Sequence, residues 1–246
     1  MTERRIVATI EARMTSSRLP GKVLKEVVGK PLLQLMIERL RRAPSIDEVV
    51  IATTVNATDD ALVDLAGRLG IGVFRGSEDD VLVRVLDAAR AFDAEIIVET
   101  TGDCPLIDPA LVELCIQGYL EAGVDYVSNV LKRTYPRGMD AQVFATNVLA
   151  DVAARTIGLD DHEHVSLYIY SHPEMYSLKN MPGPPELTDP GLGLTLDTAE
   201  DLAMISKIFE ALYAENPHFG LADVMTYLDG NPDVRKLNDH VQRKHA

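Results

Sequence analysis

The sequence predicts an α/β fold built on a mostly parallel, doubly wound sheet of the Rossmann-like kind. Three observations support this: short apolar segments rich in β-branched residues recur along the chain, helical patterns separate them, and polar loops follow several of the apolar segments. Strands that alternate with helices form parallel sheets covered on both faces. Because ligands of such sheets bind beyond the carboxyl ends of the strands, functional residues are expected in the loops that follow strands.

The first half of the chain shows this alternation most clearly. Residues 5–12 (RIVATIEA) form a short apolar run that is typical of a buried parallel strand. Pro31 fits the first turn of a helix, and apolar residues recur after it at helical spacing. By the same criteria, strands are predicted at 48–54, 72–74, 95–99 and 126–129, and helices at 31–42, 59–69, 79–92 and 110–121.

The pattern changes after residue 129. The expected elements there are an irregular hairpin or crossover at 134–145, a short helix at 163–170, a strand at 192–196 and a closing helix at 198–214. We interpret 132–191 as an excursion from the sheet that forms a small subdomain, 182–190 as a loop, and the residues after Pro232 as a mobile polar tail. The 246 residues, of which 46% are hydrophobic, suffice for one core, so 1–246 is predicted to be a single domain.

Composition argues against several classes of partner. The chain carries 38 acidic and 24 basic residues, a net charge of −14, which disfavours nucleic-acid binding. Its two cysteines, Cys104 and Cys115, match no zinc or disulfide spacing. The charged N-terminal residues argue against a signal peptide, and the lack of a long apolar stretch argues against a membrane span. We therefore expect a cytoplasmic protein without a membrane partner, in which any bound phosphate is neutralised locally or by metal ions.

The loop at 12–22, after the first predicted strand, concentrates positive charge in this acidic chain. It contains the cations Arg13, Arg18 and Lys22, together with three hydroxyl side chains. Arginine forks, a lysine and loop N–H groups are what a triphosphate requires, although a solvated surface loop would have the same composition. It is not a Walker A loop, because Val23 follows Gly21 and Lys22.

Two carboxylates follow predicted strands. Asp103 comes after the strand at 95–99, and Asp197 lies between the strand at 192–196 and the closing helix. A doubly wound sheet can bring both to the same edge, where two hard oxygen ligands suit Mg²⁺. The alternatives are a turn residue before Pro105 and a helix cap, respectively.

The loop also carries a longer pattern. Residues 12–24 fulfil Ala-Arg-x-x-Ser-x-Arg-x-Pro-x-Lys-x-Leu, which resembles the signature of the nucleotide-sugar cytidylyltransferases, the family of the CMP-sialic acid and CMP-Kdo synthetases. The branch it most resembles is the spore-coat polysaccharide type, usually written SpsF. Further matches in the order of that family are Arg-Gly-Ser-x-x-Asp-Val-Leu at 75–82, Gly-Asp-x-Pro-Leu at 102–106, Tyr-Pro-Arg-Gly at 135–138, Glu-His-Val at 163–165 and Leu-Asp-Thr-x-Glu-Asp-Leu at 196–202.

The resemblance implies a nucleotide-diphospho-sugar transferase type of fold and a Mg²⁺-dependent transfer of CMP from CTP to a sugar-type acceptor. An acceptor oxygen would attack the α-phosphorus in line and pyrophosphate would leave. The acceptor is expected to be an acidic sugar for a surface polysaccharide, and a homodimer formed through 132–191 is implied. Two alternatives remain: transfer to a phosphorylated acceptor, which gives a CDP conjugate, and a catalytically silent subunit that binds sugar nucleotides.

Site residues are carried over from the resemblance by position. The expected catalytic residues are Arg13, Lys22, Asp103 and Asp197, of which the two aspartates would bind the metal. The expected nucleotide-binding residues are Ala12, Arg13, Met14, Ser17, Arg18, Lys22, Thr53, Thr54, Arg75, Gly76, Thr100, Thr101, Gly102 and Asp103. The expected acceptor-binding residues are Tyr135, Arg137, Asp140 and His164. The chain departs from its relatives at Thr101, where a Gln is common, and at Gln142, where an acidic residue is typical, so base contact and acceptor identity stay open.

Overall fold

The computed structural model describes residues 4–242. Its strands are β1 (Ile6–Glu11), β2 (Glu26–Val27), β3 (Lys30–Pro31), β4 (Glu48–Thr54), β5 (Gly72–Gly76), β6 (Ile96–Thr101), β7 (Tyr126–Ser128), β8 (Gln142–Ala145) and β9 (Leu178–Asn180). Its α-helices are α1 (Leu32–Leu40), α2 (Asp60–Leu69), α3 (Val81–Ala91), α4 (Pro109–Ala122), α5 (Thr146–Arg155), α6 (Leu159–Glu163), α7 (Leu167–Ser171), α8 (Ala199–Leu212), α9 (Leu221–Gly230) and α10 (Pro232–Arg235). None of the described helices is both long and apolar enough to cross a membrane.

Seven of the described strands form one sheet in the order β5-β4-β1-β6-β8-β7-β9. Neighbouring strands are parallel except at β8, which runs antiparallel to β6 and β7. After β1 the chain builds outward through β4 and β5, and then returns to place β6 on the other side of β1. This reversal of strand order creates a crevice at the carboxyl ends of β1 and β6. The predicted α/β fold with a mostly parallel sheet is confirmed.

Hydrophobic cores cover both faces of the sheet. Adjacent residues of a strand point to opposite faces, so Ala8 and Ile10 pack under α1, α2 and α4, whereas Val7 packs under α3, α5 and α7. A third cluster joins α1 to α8 and α9. The central strands are thus buried on both sides, which is why their sequences read as continuous apolar runs.

The elements predicted as far as residue 129 are all present, and β4 has the predicted bounds. The range 132–191 differs from the prediction because it does not leave the sheet altogether. It supplies β8, inserted between β6 and β7, and β9, paired with β7 at the sheet edge. A short antiparallel strand needs no crossover helix beside it. The alternation of strand and helix patterns that predicts parallel strands is therefore missing, and the sequence resembles that of a loop.

Three predictions for the C-terminal half are wrong. The single helix at 163–170 is two short helices, α6 and α7, separated near Val165, which has a positive φ of 25°. The strand at 192–196 makes only an isolated bridge, between Gly193 and Arg137. Its alternate leucines are buried in the third cluster, and apolar alternation of this kind is the usual mark of a strand.

The third error concerns the end of the chain. The helix predicted at 198–214 is α8, but it does not close the fold, since α9 and α10 follow it. The residues after Pro232 are not a mobile tail throughout, because Asn238 is buried and donates hydrogen bonds to the Gly193 carbonyl (2.9 Å) and to Asp201 (2.7 Å). The remainder of the predicted tail, 243–246, lies outside the described residues.

Candidate active site

A cleft of about 540 Å³ opens at the carboxyl ends of β1 and β6. Its wall includes residues of the loop at 12–24, of β6 and the turn after it, of the segment at 130–142, and of α6 and α7. Asp197, which precedes α8, completes the rim. The cleft therefore lies at the point of strand-order reversal, where ligands of doubly wound sheets bind.

Lys22 lies between the two aspartates that the sequence singles out. Its Nζ is 3.0 Å from an oxygen of Asp103 and 2.9 Å from an oxygen of Asp197. Arg18 also pairs with Asp197, at 3.0 Å. The backbone fixes this arrangement, because the Leu196 N–H donates to the Asp103 carbonyl (2.8 Å). Residues from three distant parts of the chain thus form one ionic centre.

The electrostatics keep this centre ionised. Burial by itself would lower the pKa of Lys22, but the carboxylates of Asp103 and Asp197 hold that pKa above its usual value. Burial would likewise raise the pKa of Asp103, but the Lys22 charge and a hydrogen bond from Thr101 (2.7 Å) hold it below its usual value. The Lys22 ammonium and the Asp103 carboxylate therefore both remain charged.

The centre also fits a metal ion. Two carboxylate oxygens already converge on a single cationic atom, and two hard oxygen donors suit Mg²⁺, which takes its other ligands from water and phosphate. The part of the chain that the structure describes contains no group of three or more acidic, histidine or cysteine side chains that could hold a metal by themselves. The residues present thus fit a metal that binds together with a phosphate-bearing substrate.

Asp59 shapes the start of the cation-rich loop. Its carboxylate accepts hydrogen bonds from the Met14 N–H (2.8 Å) and from the hydroxyls of Thr53 (2.9 Å) and Thr54 (2.6 Å). Burial would raise the pKa of Asp59, but these hydrogen bonds hold it below its usual value. Thr53 and Thr54 are fully buried, so the structure places them under the loop rather than in the wall of the cleft.

A second carboxylate, Glu78, holds the outer part of the same loop. It accepts from Thr15 (3.0 Å) and from Asn56 (2.6 Å), and Arg13 lies 3.4 Å away. The guanidinium of Arg13 remains about half exposed. The loop closes on itself through a hydrogen bond from the Gly21 N–H to the Met14 carbonyl (3.0 Å). Ala12 is buried at the base of the loop, and Ser17 is exposed on its surface.

The strand ends beside this loop pack closely. The Gly102 N–H donates to the Glu11 carbonyl (2.8 Å), and a Cβ at Gly102 would lie only 3.0 Å from that of Ala12. Thr100 is buried, with its hydroxyl donating to the Thr9 carbonyl (2.9 Å). Gly102 therefore lets the loop that carries Asp103 approach the cation-rich loop.

Arg75 and Gly76 lie at the end of β5, outside the cleft wall. The Arg75 guanidinium donates to the carbonyls of Thr54 (2.9 Å) and Asn56 (2.8 Å) and pairs with Asp60 (2.7 Å). In this structure Arg75 thus fixes the turn after β4, and its contacts are to the protein itself.

The predicted acceptor-binding residues divide into two groups. Arg137, Asp140 and His164 line the cleft. Asp140 forms a bidentate pair with Arg133 (2.6 and 2.8 Å), whereas the guanidinium of Arg137 has no hydrogen-bond or ionic partner among residues 4–242. Tyr135 is not brought to the cleft, because it is buried in the third hydrophobic cluster.

Sequence reasoning missed several residues of the cleft wall, including Glu11, Glu99 and Ser166. The signal for two of them was present, since Glu11 and Glu99 interrupt otherwise apolar strands. His162, the neighbour of the motif at 163–165, does not line the cleft. Its ring nitrogens contact Asp80 (2.8 Å) and the Thr156 carbonyl (3.0 Å).

Comparison with known proteins shows the family of this chain. A family model described as cytidylyltransferase matches residues 7–217. The spore coat polysaccharide biosynthesis protein SpsF of Bacillus subtilis is 36% identical, over 93% of this chain and 96% of its own length. A 3-deoxy-manno-octulosonate cytidylyltransferase of Geobacter metallireducens is 30% identical, over 87% of this chain and 94% of its own length.

A solved structure shows the same fold over the whole chain. The cytidylyltransferase of Leptospira borgpetersenii superposes with a TM-score of 0.87 at 29% identity, and the match covers 100% of both chains. The family resemblance predicted from the motifs at 12–24, 75–82 and 102–106 is therefore confirmed. This chain is a nucleotidyltransferase and belongs to the cytidylyltransferase family.

Proposed function

We propose that this protein transfers CMP from CTP to a sugar-type acceptor in a Mg²⁺-dependent reaction that releases pyrophosphate. The observation that carries the proposal is the ionic centre of Lys22, Asp103 and Asp197 beside the cation-rich loop. The acceptor we favour is an acidic sugar destined for a surface polysaccharide, in keeping with the names of the two relatives, a spore-coat polysaccharide protein and an enzyme named for 3-deoxy-manno-octulosonate.

In this proposal the loop binds the triphosphate. Arg13 is half exposed and Arg18 lies on the rim beside Lys22, so these cations can reach phosphate oxygens from one side. Asp103 and Asp197 would hold the Mg²⁺, which when bound would offset phosphate charge and help to orient the reacting groups. Lys22 would then offset the charge that develops at the α-phosphate.

The acceptor would bind in the part of the cleft between β6 and α7. Arg137 lines the same cleft, and its guanidinium has no ionic partner among residues 4–242, which suits the binding of a carboxylate. The acceptor hydroxyl oxygen forms a bond to the α-phosphorus in line, while the bond from that phosphorus to the oxygen bridging to the β-phosphate breaks. Pyrophosphate leaves with the bridging oxygen, and the hydroxyl proton passes to solvent. Positioning and electrostatic stabilisation supply most of the catalysis of such a transfer, so no covalent nucleophile is needed.

We further propose that the chain is a single domain, that it works in the cytoplasm, and that it forms a homodimer through 132–191. Exposed apolar side chains in that range support the last point: Ile157 is 97% exposed and Leu159 is 86% exposed. Apolar groups so fully exposed and so close together mark interaction surfaces more often than free surface.

Pyrophosphate release tests the proposed reaction. CTP, ATP, GTP and UTP would be incubated with Mg²⁺ and a panel of nonulosonic acids, other sugars and sugar phosphates, and product masses recorded. We expect release that depends on CTP and on an acidic sugar, with a product containing one phosphate. A product with a diphosphate bridge would indicate a phosphorylated acceptor instead, and failure of CTP to bind in calorimetry would overturn the proposal.

Replacement of Asp103 tests the role of the centre. Asp103→Asn keeps the side-chain volume but removes the charge beside Lys22, so we expect turnover to fall by a factor of about 100 to 1,000. The midpoint of thermal unfolding should fall as well, because the amide can oppose the donors Lys22 and Thr101, so turnover is compared at a temperature at which the variant is folded. Full activity in this variant would remove Asp103 from the mechanism. Glu210→Gln, at an exposed position on α8, is the matched control.

A further inference from the structure

Two carboxyl groups lie side by side in the cleft wall, on the two central strands. In the register of β1 and β6, Thr9 pairs with Glu99 and Glu11 pairs with Thr101, so Glu11 and Glu99 are diagonal neighbours on one face of the sheet. Each carboxyl acts on the pKa of the other, as two acids do that lie close together. Neither belongs to the centre formed by Lys22.

The pair has more hydrogen-bonding capacity than the protein uses. Glu99 is 4% exposed, yet its Oε2 and the Oε1 of Glu11 are buried without a hydrogen-bond partner in the described chain. The Thr9 hydroxyl, on the same face and fully buried, also lacks a partner there. Buried polar atoms are nearly always satisfied, so unpaired atoms in a cleft wall indicate that a ligand supplies the missing donors.

The surrounding side chains neutralise the pair only in part. The charge of Arg84 acts on Glu11, but its guanidinium donates to the backbone carbonyls of Ser77 and Glu78. Ser166 approaches Glu99 and also donates to Gln142 (2.7 Å), whose Oε1 accepts from Tyr126 as well. This wall therefore offers mainly acceptor atoms.

Electrostatics oppose full ionisation of the pair. Burial raises the pKa of Glu11 to about 7, against an opposing effect of the Arg84 charge. Burial and the neighbouring charge of Glu11 together raise the pKa of Glu99 well above its usual value. Near neutral pH the pair is thus only partly ionised, and its unprotonated oxygens remain acceptors toward the cleft.

We propose that Glu11 and Glu99 form a recognition site for a hydrogen-bond-donating group of the acceptor, an amino or a hydroxyl group, and that they disfavour an anionic group at this position. The proposal rests on the proposed function in one respect, that the ligand is the acceptor sugar. With Arg137 free in the same cleft, the acceptor would present its anionic group to the guanidinium and a donor-rich portion to the two glutamates.

Saturation-transfer NMR tests the site with defined probes: D-glucosamine, D-glucose and D-glucuronate, each in the presence of CMP. We expect glucosamine or glucose to bind the wild-type protein, and their affinity to fall by about tenfold or more in Glu11→Gln and in Glu99→Met. Binding of glucosamine alone would identify an amine site, and equal binding of glucosamine and glucose a hydroxyl site. The proposal is overturned if no probe binds the wild type, or if both variants bind as well as the wild type does.

Thermal unfolding of the same variants separates recognition from a structural role. If the carboxyls serve a ligand, then Glu11→Gln and Glu99→Met relieve unpaired buried groups, and the unfolding midpoint should stay the same or rise. A lower midpoint with retained probe binding would show that the pair is structural. Glu210→Gln is the control. Calorimetry with CTP separates the two proposals: if the wild type does not bind CTP, the proposed function is contradicted. If the wild type binds CTP but the glutamate variants bind the probes as well as it does, only this site is contradicted.

Discussion

Single side chains decide how the nucleotide end of this site is charged before any substrate arrives. Lys22 occupies the point between Asp103 and Asp197, at 3.0 and 2.9 Å, so under the proposed mechanism it would compete directly with a metal ion for the same oxygens. Metal and nucleotide are then expected to bind cooperatively, because phosphate oxygens give Lys22 and Arg18 an alternative partner.

Replacement of Lys22 measures this competition. In Lys22→Met, the two carboxylates lose their shared cation, so we expect Mn²⁺ to bind about tenfold more tightly in the absence of nucleotide, which corresponds to about 1.4 kcal/mol. Electron paramagnetic resonance of free Mn²⁺ gives the binding curve. Lys207→Met, at an exposed position, should leave the curve unchanged, and equal affinity in both variants would contradict the competition.

Asp59 acts on the loop without lining the cleft. Asp59→Asn places a donor among groups that already donate to this carboxylate, so we expect the free energy of unfolding to fall by about 2–4 kcal/mol. Since the folded-state pKa of Asp59 lies below its usual value of 3.8, this stabilisation is present above pH 3.8 and is lost as the pH falls through the lower, folded-state pKa. Urea unfolding at about pH 7 and below about pH 3 checks both points. Asp64→Asn, at an exposed position, is the control. If the free energy of unfolding lost in Asp59→Asn is as large in acid as at pH 7, the ionised carboxylate of Asp59 is not what stabilises the fold.

At the scale of elements, the cap of α8 positions the carboxylate of Asp197, which we propose to be catalytic. Asp201 accepts hydrogen bonds from the N–H groups of Asp197 (3.0 Å) and Thr198 (3.0 Å), and Thr198 caps the helix in return. The capping box thus fixes the backbone of Asp197 at the rim of the cleft. It also ties the rim to the C-terminal segment, since Asn238 donates to Asp201 (2.7 Å).

We expect Asp201→Asn to affect both stability and turnover. The amide would oppose at least one of these donors, which should cost about 1–3 kcal/mol of the free energy of unfolding, and turnover should fall as Asp197 loses its fixed position. Denaturant unfolding and pyrophosphate release measure the two effects. Glu200 lies in the same helical turn but is exposed, so Glu200→Gln is the control. An equal loss of stability and turnover in that variant would mean that the negative charge of the turn, rather than the cap, is responsible.

The motifs at 12–24 and 102–106 predicted which loops meet, because a strand followed by a polar loop sends that loop to the carboxyl edge of a parallel sheet. The structure adds what no local pattern contains. Asp59 was placed at the start of a helix by its sequence, and only the fold shows that it holds Met14. Likewise β8 enters the sheet through pairing with β6, a long-range choice that the four residues of β8 do not encode.

At the scale of the whole molecule, the exposed apolar side chains predict self-association. We expect the wild type to have the mass of a dimer in light scattering at micromolar concentration, and the variant combining Ile157→Ser with Leu159→Ser to have the mass of a monomer, because it removes the most exposed apolar surface of the described chain. A monomeric wild type would contradict the dimer, and a dimeric variant would place the interface elsewhere.

The sequence by itself determined the alternation of strands and helices, the cation-rich loop and the two aspartates, because periodicity and strand-end position are local properties of the chain. Only the tertiary structure decided that Lys22 bridges those aspartates, that Tyr135 is buried rather than in the cleft, and that Glu11 and Glu99 share a wall. These facts depend on contacts between residues far apart in sequence, and burial and charge at such contacts are set by the packing of the whole fold.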